Sequence, residues 1–146
     1  MKISTKGRYA LRMLVDLAQN QEDGYVSLKE IAERQEISKK YLEQIIPVFN
    51  NSDVLLANRG ARGGYRLAKE PSHYTVGSIL RLTEGTLSPV VCVGDRAVEC
   101  HRSPNCATMP IWQGLCDVIN DYLDSITLQD IIDQQHSRPE EDYVLL

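Results

Sequence analysis

Two short amphipathic segments, residues 28–35 and 39–46, are separated by only three residues. Ser27, with a glutamate three residues later, predicts a capping box before the first segment, and Ser38 is an N-cap for the second. A connection of this length makes two helices cross steeply, so that they share one set of apolar contacts. The residues available for those contacts are Leu28, Ile31, Ala32, Ile37, Leu42 and Ile45. This spacing predicts a helix-turn-helix.

The second helix of this pair has a polar outer face. It consists of Lys39, Lys40, Glu43 and Gln44. Side chains of these types reach base edges and phosphates when a helix enters the major groove of double-stranded DNA. A solvated surface is the alternative interpretation of the same charged run.

A β-hairpin is predicted directly after the two helices. An apolar run at residues 54–57 and a second short strand at residues 65–68 flank a turn that contains Gly60, Gly63 and Gly64. Three arginines, Arg59, Arg62 and Arg66, belong to this hairpin. Guanidinium groups at a hairpin tip suit phosphates or a narrow minor groove. With an amphipathic helix predicted over residues 6–20, this order is that of a winged helix-turn-helix domain, although a solvated hairpin remains an alternative.

Two residues disagree with the local pattern. Glu36 lies in the turn between the two helices, where glycine is favoured because it adopts positive φ, so we expect mild strain there. Pro47 falls within the pattern of the third helix, and an interior proline costs roughly 3 kcal/mol. We therefore expect the third helix to bend or end at this proline.

The charge distribution supports a polyanionic partner for one half of the chain only. The formal net charge is −4. Residues 1–72 nevertheless carry 12 Lys and Arg against 9 Asp and Glu, whereas residues 73–146 carry 4 against 11. The basic half can meet phosphates while the acidic half faces solvent or a partner subunit. No apolar run reaches membrane-spanning length and no signal peptide is evident, so we expect a cytoplasmic protein without a membrane partner.

The C-terminal half predicts helices around an aperiodic loop. Thr75 caps a short fourth helix, residues 85–103 show no period, and a long helix follows Pro104. We expect one side of the long helix, Ile111, Leu115, Val118 and Tyr122, to pack on its own domain. The other side, Trp112, Cys116, Ile119 and Leu123, is then expected to face a second copy in a homodimer. Thr127 caps a last helix that extends to about Gln134.

The predicted fold is mainly α with a small β-hairpin, in four parts. These are a winged helix-turn-helix domain at 1–84, a cysteine-rich loop at 85–106, a dimerisation helix with a short terminal helix at 107–134, and a polar tail at 135–146.

Three of the four cysteines lie in the aperiodic loop. Cys92, Cys100 and Cys106 are separated by seven and five residues. Three thiolates around one point suit a soft metal, either zinc or the iron of an iron-sulfur cluster, and the wide spacing favours the cluster. A thiol-disulfide switch and free buried thiols are alternatives, the latter fitting Cys116 well. We find no nucleophile with a neighbouring base and no phosphate loop, so a redox enzyme or an electron carrier is disfavoured.

Four stretches of the chain resemble one known family. They are MKISTKGRYALRMLVDLA, SLKEIAERQEISKKYLEQII, RGARGGYRLA and SITLQDII. These stretches occur in family order and cover nearly the whole chain, which is therefore similar to the Rrf2 family of bacterial winged-helix regulators that includes IscR, NsrR and CymR. The resemblance implies a homodimer joined through the long helix, bound to a double-stranded DNA operator.

The resemblance also assigns roles to individual residues. It implies that Glu43 and Gln44 read bases, that Lys40 and Tyr41 lie at or near the groove, and that the wing probes the minor groove. The wing residues concerned are Arg59 and the GARGG tip, which contains Arg62 and Gly63. In cluster-binding members three loop cysteines ligate an iron-sulfur cluster, 2Fe-2S or 4Fe-4S, and Cys92, Cys100 and Cys106 match them in position. The cysteine-metabolism regulators of the family, which lack these cysteines, fit less well.

The fourth ligand departs from the family pattern. Iron-sulfur biogenesis regulators place a histidine one helical turn after the third cysteine, where this chain has Met109. Nitric-oxide-sensing relatives use a carboxylate near the start of the first helix of the partner chain, where the nearby residue is Arg8. His101 is the first candidate here, followed by Glu99, Met109 or an exogenous ligand. The sequence thus predicts a DNA-binding regulator, not an enzyme, that senses iron-sulfur, redox or nitric-oxide status through its loop.

Overall fold

Helix α1 (Thr5–Asn20) begins where the Ser4 hydroxyl accepts the main-chain N–H of Gly7 at 3.0 Å. The computed structural model describes residues 1–22 and 24–138. Within these ranges the chain forms six α-helices and one two-stranded hairpin. The mainly α fold with a small hairpin, expected from the sequence, is confirmed.

The predicted helix-turn-helix consists of α2 (Leu28–Gln35) and α3 (Lys39–Ile45). The capping box of Ser27 and the N-cap of Ser38 both form as expected. Glu36 closes α2 at φ 54° and ψ 42°, in the left-handed region, and donates its main-chain N–H to the carbonyl of Ala32. A residue with a Cβ costs about 1 to 2 kcal/mol in that conformation, so the expected strain at Glu36 is present.

Pro47 ends the third helix. The α-helical pattern stops at Ile45, and residues 46–49 continue as a 3₁₀ turn with the proline in its first positions. Proline has no N–H to offer to the preceding turn, which is tolerated at the beginning of a helical segment. The 3₁₀ turn still delivers Phe49 into the core, where the side chain is fully buried.

The wing consists of strands β1 (Leu55–Asn58) and β2 (Gly64–Leu67), which pair antiparallel with Leu55 opposite Leu67. The first strand lies one residue later, and the second one residue earlier, than the sequence predicts. Val26 and Tyr65 exchange main-chain hydrogen bonds of 2.8 Å and so tie the wing to the segment before α2. A Cβ at residue 64 would collide with the main-chain oxygen of Val26, so only glycine permits this approach.

The C-terminal half contains α4 (Val76–Glu84), α5 (Met109–Asp124) and α6 (Leu128–Ser137). Two main-chain bonds join the beginnings of α4 and α6, from Val76 to the carbonyl of Ile126 and from Leu128 to the carbonyl of Tyr74. Helix α6 extends three residues beyond the predicted boundary at 134, so the predicted polar tail begins inside this helix. Residues 139–146 of that tail lie outside the described residues.

The last residue of α4 holds the beginning of α1. The main-chain N–H and the hydroxyl of Ser4 both donate to Oε1 of Glu84, at 3.1 and 2.6 Å. A Cβ on Gly7 would collide with the same carboxylate oxygen. The two helices can therefore approach each other closely at this point because residue 7 has no side chain.

Helix α1 lies at the centre of the main core and contacts α2, α3, β2, α4 and α6. Among the residues that the structure describes, the largest fully buried side chains are those of Phe49, Met13, Leu14, Leu17, Ile31, Leu42, Ile45, Ile79, Leu128 and Asp16. A smaller cluster of Val76, Leu80 and Leu87 packs against Ile119 and Leu123 of α5. Two apolar cores thus share α4 as their common wall.

The sequence prediction for α5 is wrong, because the side expected to pack on its own domain is exposed and the other side is packed. Ile111, Val118 and Tyr122 are 60%, 65% and 64% exposed, and Leu115 lies beside them at 42%. The opposite side faces the chain's own domain, since Cys116 is buried and Ile119 and Leu123 pack against the smaller cluster. Periodicity identifies two apolar faces but not the neighbour of each. Among the helices described, none has the length and apolar character needed to cross a membrane.

Candidate nucleic-acid interface and cysteine loop

The outer face of α3 is open to solvent. Lys39, Lys40, Glu43 and Gln44 are all exposed. The Lys39 ammonium lies 3.9 Å from a Glu43 carboxylate oxygen, an i,i+4 pair between two exposed side chains. Such a pair is worth about 0.3 to 0.5 kcal/mol, so a phosphate or a base can replace either partner at little cost. The side chains predicted to meet DNA are therefore accessible together on one face.

Tyr41, also on α3, has a different environment. Its side chain is half-buried, and its ring meets the ring of Tyr9 edge-on, with centroids 5.4 Å apart and an interplanar angle of 80°. Aromatic pairs with this geometry contribute about 0.5 to 1.5 kcal/mol beyond their buried area. Tyr41 thus fixes the first turn of α3 against α1.

The tip of the wing presents two of its three arginines. Arg59 and Arg62 are exposed, on a turn closed by the Gly63 N–H donating to the carbonyl of Gly60 at 2.9 Å. Gly60 has a φ of 113°, which side-chain-bearing residues rarely adopt. Arg66 is half-buried, and its guanidinium lies over the ring of Tyr25 at 5.9 Å from the centroid. The free cations of the wing therefore come from its turn and not from its second strand.

A buried carboxylate fixes α2 on α1. Asp16 is 1% exposed and accepts from Nε of Arg34 at 3.0 Å and from Nη2 at 2.7 Å. Nε2 of Gln35 donates to the same carboxylate at 3.0 Å. The hydrogen bonds to Asp16 raise the pKa of Arg34. Sequence reasoning missed this pair, although a charge placed between the core residues of α1 signals a partner.

Tyr74 fixes the base of the wing. Its buried hydroxyl accepts the main-chain N–H of Lys69 at 2.9 Å and donates to the carbonyl of Asp53 at 2.8 Å. Burial raises the pKa of this phenol, so it remains an uncharged donor at neutral pH. The two segments that flank the hairpin are thereby held together at a single side chain.

The cysteine loop has hydrogen-bonded turns despite its aperiodic sequence. The main-chain N–H of Val98 donates to the carbonyl of Val91 at 2.7 Å, and the enclosed Val93 is buried. The hydroxyl of Ser88 lies 2.7 Å from the carbonyl of Val93 and stabilises the same turn. Gly94, with a φ of 93°, lies against Cys116 of α5. The turn at Gly94 therefore lies beside the long helix.

The three loop thiols are half-buried and free, whereas Cys116 is a buried free thiol, as the sequence favoured. Cys100 and Cys106 are connected by consecutive turns, from Ser103 to the carbonyl of Cys100 and from Cys106 to the carbonyl of Ser103. A hydrogen bond with the Thr108 hydroxyl, 3.4 Å from the sulfur, lowers the pKa of the Cys106 thiol. Within residues 1–22 and 24–138, no three His, Cys, Asp or Glu side chains gather as a metal site.

The candidates for a fourth ligand are dispersed in the same region. His101 and Glu99 are exposed on the loop, and Met109 is the first residue of α5. Arg8 is exposed on α1, where its guanidinium donates to the hydroxyl of Thr5 at 3.1 Å. The donor types suit a soft metal or a cluster, but their described positions do not form a site.

Comparison with known proteins identifies the family. The profile of the Rrf2 family, described as an iron-dependent transcriptional regulator, matches residues 3–134. This chain belongs to the Rrf2 family. The transcriptional regulator CymR of Bacillus subtilis is 40% identical over 131 residues, which are 90% of this chain and 89% of CymR.

Solved structures of Rrf2 proteins have the same fold. CymR, described as the global cysteine regulator of B. subtilis, matches with a TM-score of 0.74 and 38% identity, covering 92% of this chain and 98% of CymR. IscR of T. potens matches with a TM-score of 0.72 and 36% identity, covering 97% and 94%. The resemblance seen in the sequence is confirmed, and this Rrf2 protein is a transcriptional regulator with a winged-helix fold.

Proposed function

We propose that this Rrf2 protein is a dimeric, cytoplasmic regulator that binds double-stranded operator DNA with α3 in the major groove and the wing in the minor groove. The observation that carries the proposal is the common exposure of the outer face of α3 and the arginine tip of the wing. The proposed contacts are Lys39, Lys40, Tyr41, Glu43, Gln44, Arg59, Arg62 and Gly63. Glu43 and Gln44 supply base contacts, while the cations supply affinity that depends on salt.

Salt titration of DNA binding tests the wing contact. Arg62→Ala is expected to weaken binding and to reduce the slope of log affinity against log salt by up to about one unit, because one phosphate contact is lost. Arg102→Ala removes another exposed arginine, from the cysteine loop, and is the matched control. An unchanged slope in Arg62→Ala removes the wing tip from the proposed interface.

The proposed dimer interface is the exposed apolar stripe of α5, which consists of Ile111, Leu115, Val118 and Tyr122. A second copy is the proposed occupant because a winged-helix protein that reads a two-fold operator needs a partner at a fixed spacing. Val118→Asp is expected to give a monomer in light scattering, since it places a charge in the stripe. Gln113→Asp adds the same charge to the same helix outside the stripe and is expected to leave the mass unchanged. A dimeric Val118→Asp protein would exclude this face.

The three loop thiols are the proposed ligands of an iron-sulfur cluster, 2Fe-2S or 4Fe-4S. Cys92, Cys100 and Cys106 supply thiolate donors, which such clusters take, and the description of the Rrf2 family as iron-dependent supports this choice. His101 is the first candidate for the remaining ligand. When bound, the cluster would supply a redox-sensitive or nitric-oxide-sensitive centre beside α5. Reorganisation of the loop around the thiols would move its turns against α5, and a coupling of about 1 to 3 kcal/mol would alter DNA affinity.

Two alternatives without a cluster are kept because a specific observation favours each. Soft donors also suit zinc or a thiol-disulfide switch. The similarity to CymR, which is described as the global cysteine regulator of B. subtilis, favours a regulator of cysteine metabolism. Iron, sulfide and zinc analysis of protein purified without oxygen distinguishes these functions. A colourless protein without iron and sulfide would exclude the cluster, and reversible loss of two thiols would support the switch.

A further inference from the structure

We infer that Arg12 is a positioning residue for DNA recognition: its guanidinium fixes both ends of the helix-turn-helix turn and thereby the orientation of α3. This inference rests on the proposed function, in which α3 reads the major groove. Arg12 is exposed on α1, outside the set of residues proposed to touch DNA.

The guanidinium closes the C-terminal end of α2. Nη2 of Arg12 donates to the main-chain carbonyl of Gln35, the last residue of α2, and Nε donates to Oε1 of the same residue at 3.3 Å. The last carbonyls of a helix have no partner within the helix, and a cation there also interacts favourably with the helix dipole. Because Gln35 also donates to Asp16, its side chain is held at both of its polar atoms.

The same guanidinium reaches the beginning of α3 through an aromatic pair. Its Cζ atom lies 5.1 Å from the ring centroid of Tyr9, within cation-π range. The ring of Tyr9 meets that of Tyr41 edge-on at 5.4 Å, in the first turn of α3. One side chain of α1 therefore contacts the end of α2 directly and the start of α3 through a single intermediate ring.

The turn between these two anchors contains the strained residue of the motif. Glu36 adopts φ 54°, which costs free energy for any residue with a Cβ. Such a conformation persists only where the surrounding contacts determine it. Loss of the Arg12 contacts therefore permits the turn to relax, and α3 then changes its angle relative to the wing.

A direct phosphate contact is the competing role for an exposed arginine, and the two roles predict different results for Arg12→Lys. Lysine keeps the positive charge but not the planar fork that donates to Gln35 and stacks on Tyr9. A phosphate contact survives this substitution, whereas positioning does not. Positioning also affects a preferred duplex more than a scrambled one, since non-specific binding depends on charge alone.

The test begins with selection of a preferred duplex from a random library by the wild-type protein. Fluorescence anisotropy then gives the affinity of wild type, Arg12→Lys and Arg12→Ala for that duplex and for a scrambled one, at several salt concentrations. Both variants are expected to bind the preferred duplex about tenfold more weakly, the equivalent of about 1.4 kcal/mol. The scrambled duplex and the salt slope are expected to remain unchanged for Arg12→Lys.

Arg8→Ala is the matched control, because Arg8 lies one turn earlier on α1 and its guanidinium donates only to Thr5 among the described hydrogen bonds. It is expected to keep the wild-type ratio between the two duplexes. Amide hydrogen exchange without DNA gives an independent measurement: residues 36–41 are expected to exchange faster in Arg12→Lys than in wild type or Arg8→Ala. Wild-type affinity together with wild-type exchange in Arg12→Lys overturns the inference.

A different result identifies the phosphate contact instead. If Arg12→Ala weakens both duplexes equally and lowers the salt slope by about one unit while Arg12→Lys binds normally, Arg12 touches DNA and positions nothing. If the wild-type protein selects no preferred duplex, sequence-specific DNA recognition fails first. The exchange measurement then still decides whether Arg12 holds the turn.

Discussion

The ion pair between Asp16 and Arg34 predicts an asymmetry between its two partners. The Asp16 side chain is 2% exposed, whereas that of Arg34 is 37% exposed and can turn to water. Arg34→Met removes two of the three N–H groups nearest the carboxylate and leaves a buried charge with Gln35 alone. Loss of one partner from a buried pair costs about 3 to 5 kcal/mol, and the remaining bond from Gln35 places the expected loss near 3 kcal/mol.

Removal of the buried charge is expected to cost less. Asp16→Asn keeps the shape and an acceptor oxygen, while Arg34 is free to be hydrated, so the expected loss is about 1 kcal/mol. Both losses are measured as changes in the free energy of unfolding from urea titrations. Protein concentration is held constant because a dimer's stability depends on it.

The structure offers a control with the same pair of residue types and less burial. Arg81 donates to both carboxylate oxygens of Asp124, at 2.7 and 2.8 Å, but that side chain is 44% exposed. Arg81→Met is therefore expected to cost less than about 1 kcal/mol. An Arg81→Met loss equal to that of Arg34→Met, or a loss in Asp16→Asn larger than in Arg34→Met, would refute burial as the cause.

Three further predictions concern stability. Glu36→Gly is expected to raise the free energy of unfolding by about 0.5 to 1 kcal/mol, because left-handed strain is relieved, whereas Glu36→Ala gives no gain in the same urea titration. Gly64→Ala is expected to lower it by about 2 kcal/mol, since the new Cβ forces Val26 and Tyr65 apart, and the Val26 amide then exchanges hydrogen faster. The hydrogen bond from the main-chain N–H of Thr127 lowers the pKa of Asp130 in the folded state. The ionised carboxylate therefore stabilises the fold above the pKa of Asp130 in the unfolded chain, near 3.9. This stabilisation is lost as the pH falls through the pKa of Asp130 in the folded state. Asp130→Asn is therefore expected to be less stable than wild type at pH 7, and the difference is expected to shrink as the pH falls below the unfolded value.

The helix-turn-helix could be predicted from the sequence because its signals are local. The hydroxyls of Ser27 and Ser38 both accept from main-chain groups three residues away. Proline at position 47 acts on its own helix, and the glycines at the hairpin turn act on their own backbone. Such signals need no knowledge of the tertiary fold, and all of them appear in the structure as expected.

The contacts that orient these elements could not be predicted in the same way. Asp16 and Arg34 are 18 residues apart, and Ser4 and Glu84 are 80 residues apart. The only local sign of the first pair is a carboxylate beside the core residues of α1, which indicates a buried partner without identifying it. The second pair has no sign at all in the sequence.

Helix α5 and the cysteine loop show a further limit of sequence patterns. The period of α5 gives two apolar faces, but which one turns inward is decided by Val76, Leu80 and Leu87, which come from another part of the chain. The spacing of Cys92, Cys100 and Cys106 likewise gives only the separation of these donors along the chain. It does not determine whether the backbone turns between them bring the three sulfur atoms to one point.

The carboxylate of Glu84, which accepts both hydrogen bonds from Ser4, connects the two halves of this regulator. Glu84 ends α4, and the next residue, Gly85, opens the segment that carries the cysteines. Whatever unwinds the final turn of α4 also releases the beginning of α1, the helix around which the winged-helix domain is built. The peptide bond between Glu84 and Gly85 therefore joins the segment that carries the cysteines directly to the residue that anchors α1.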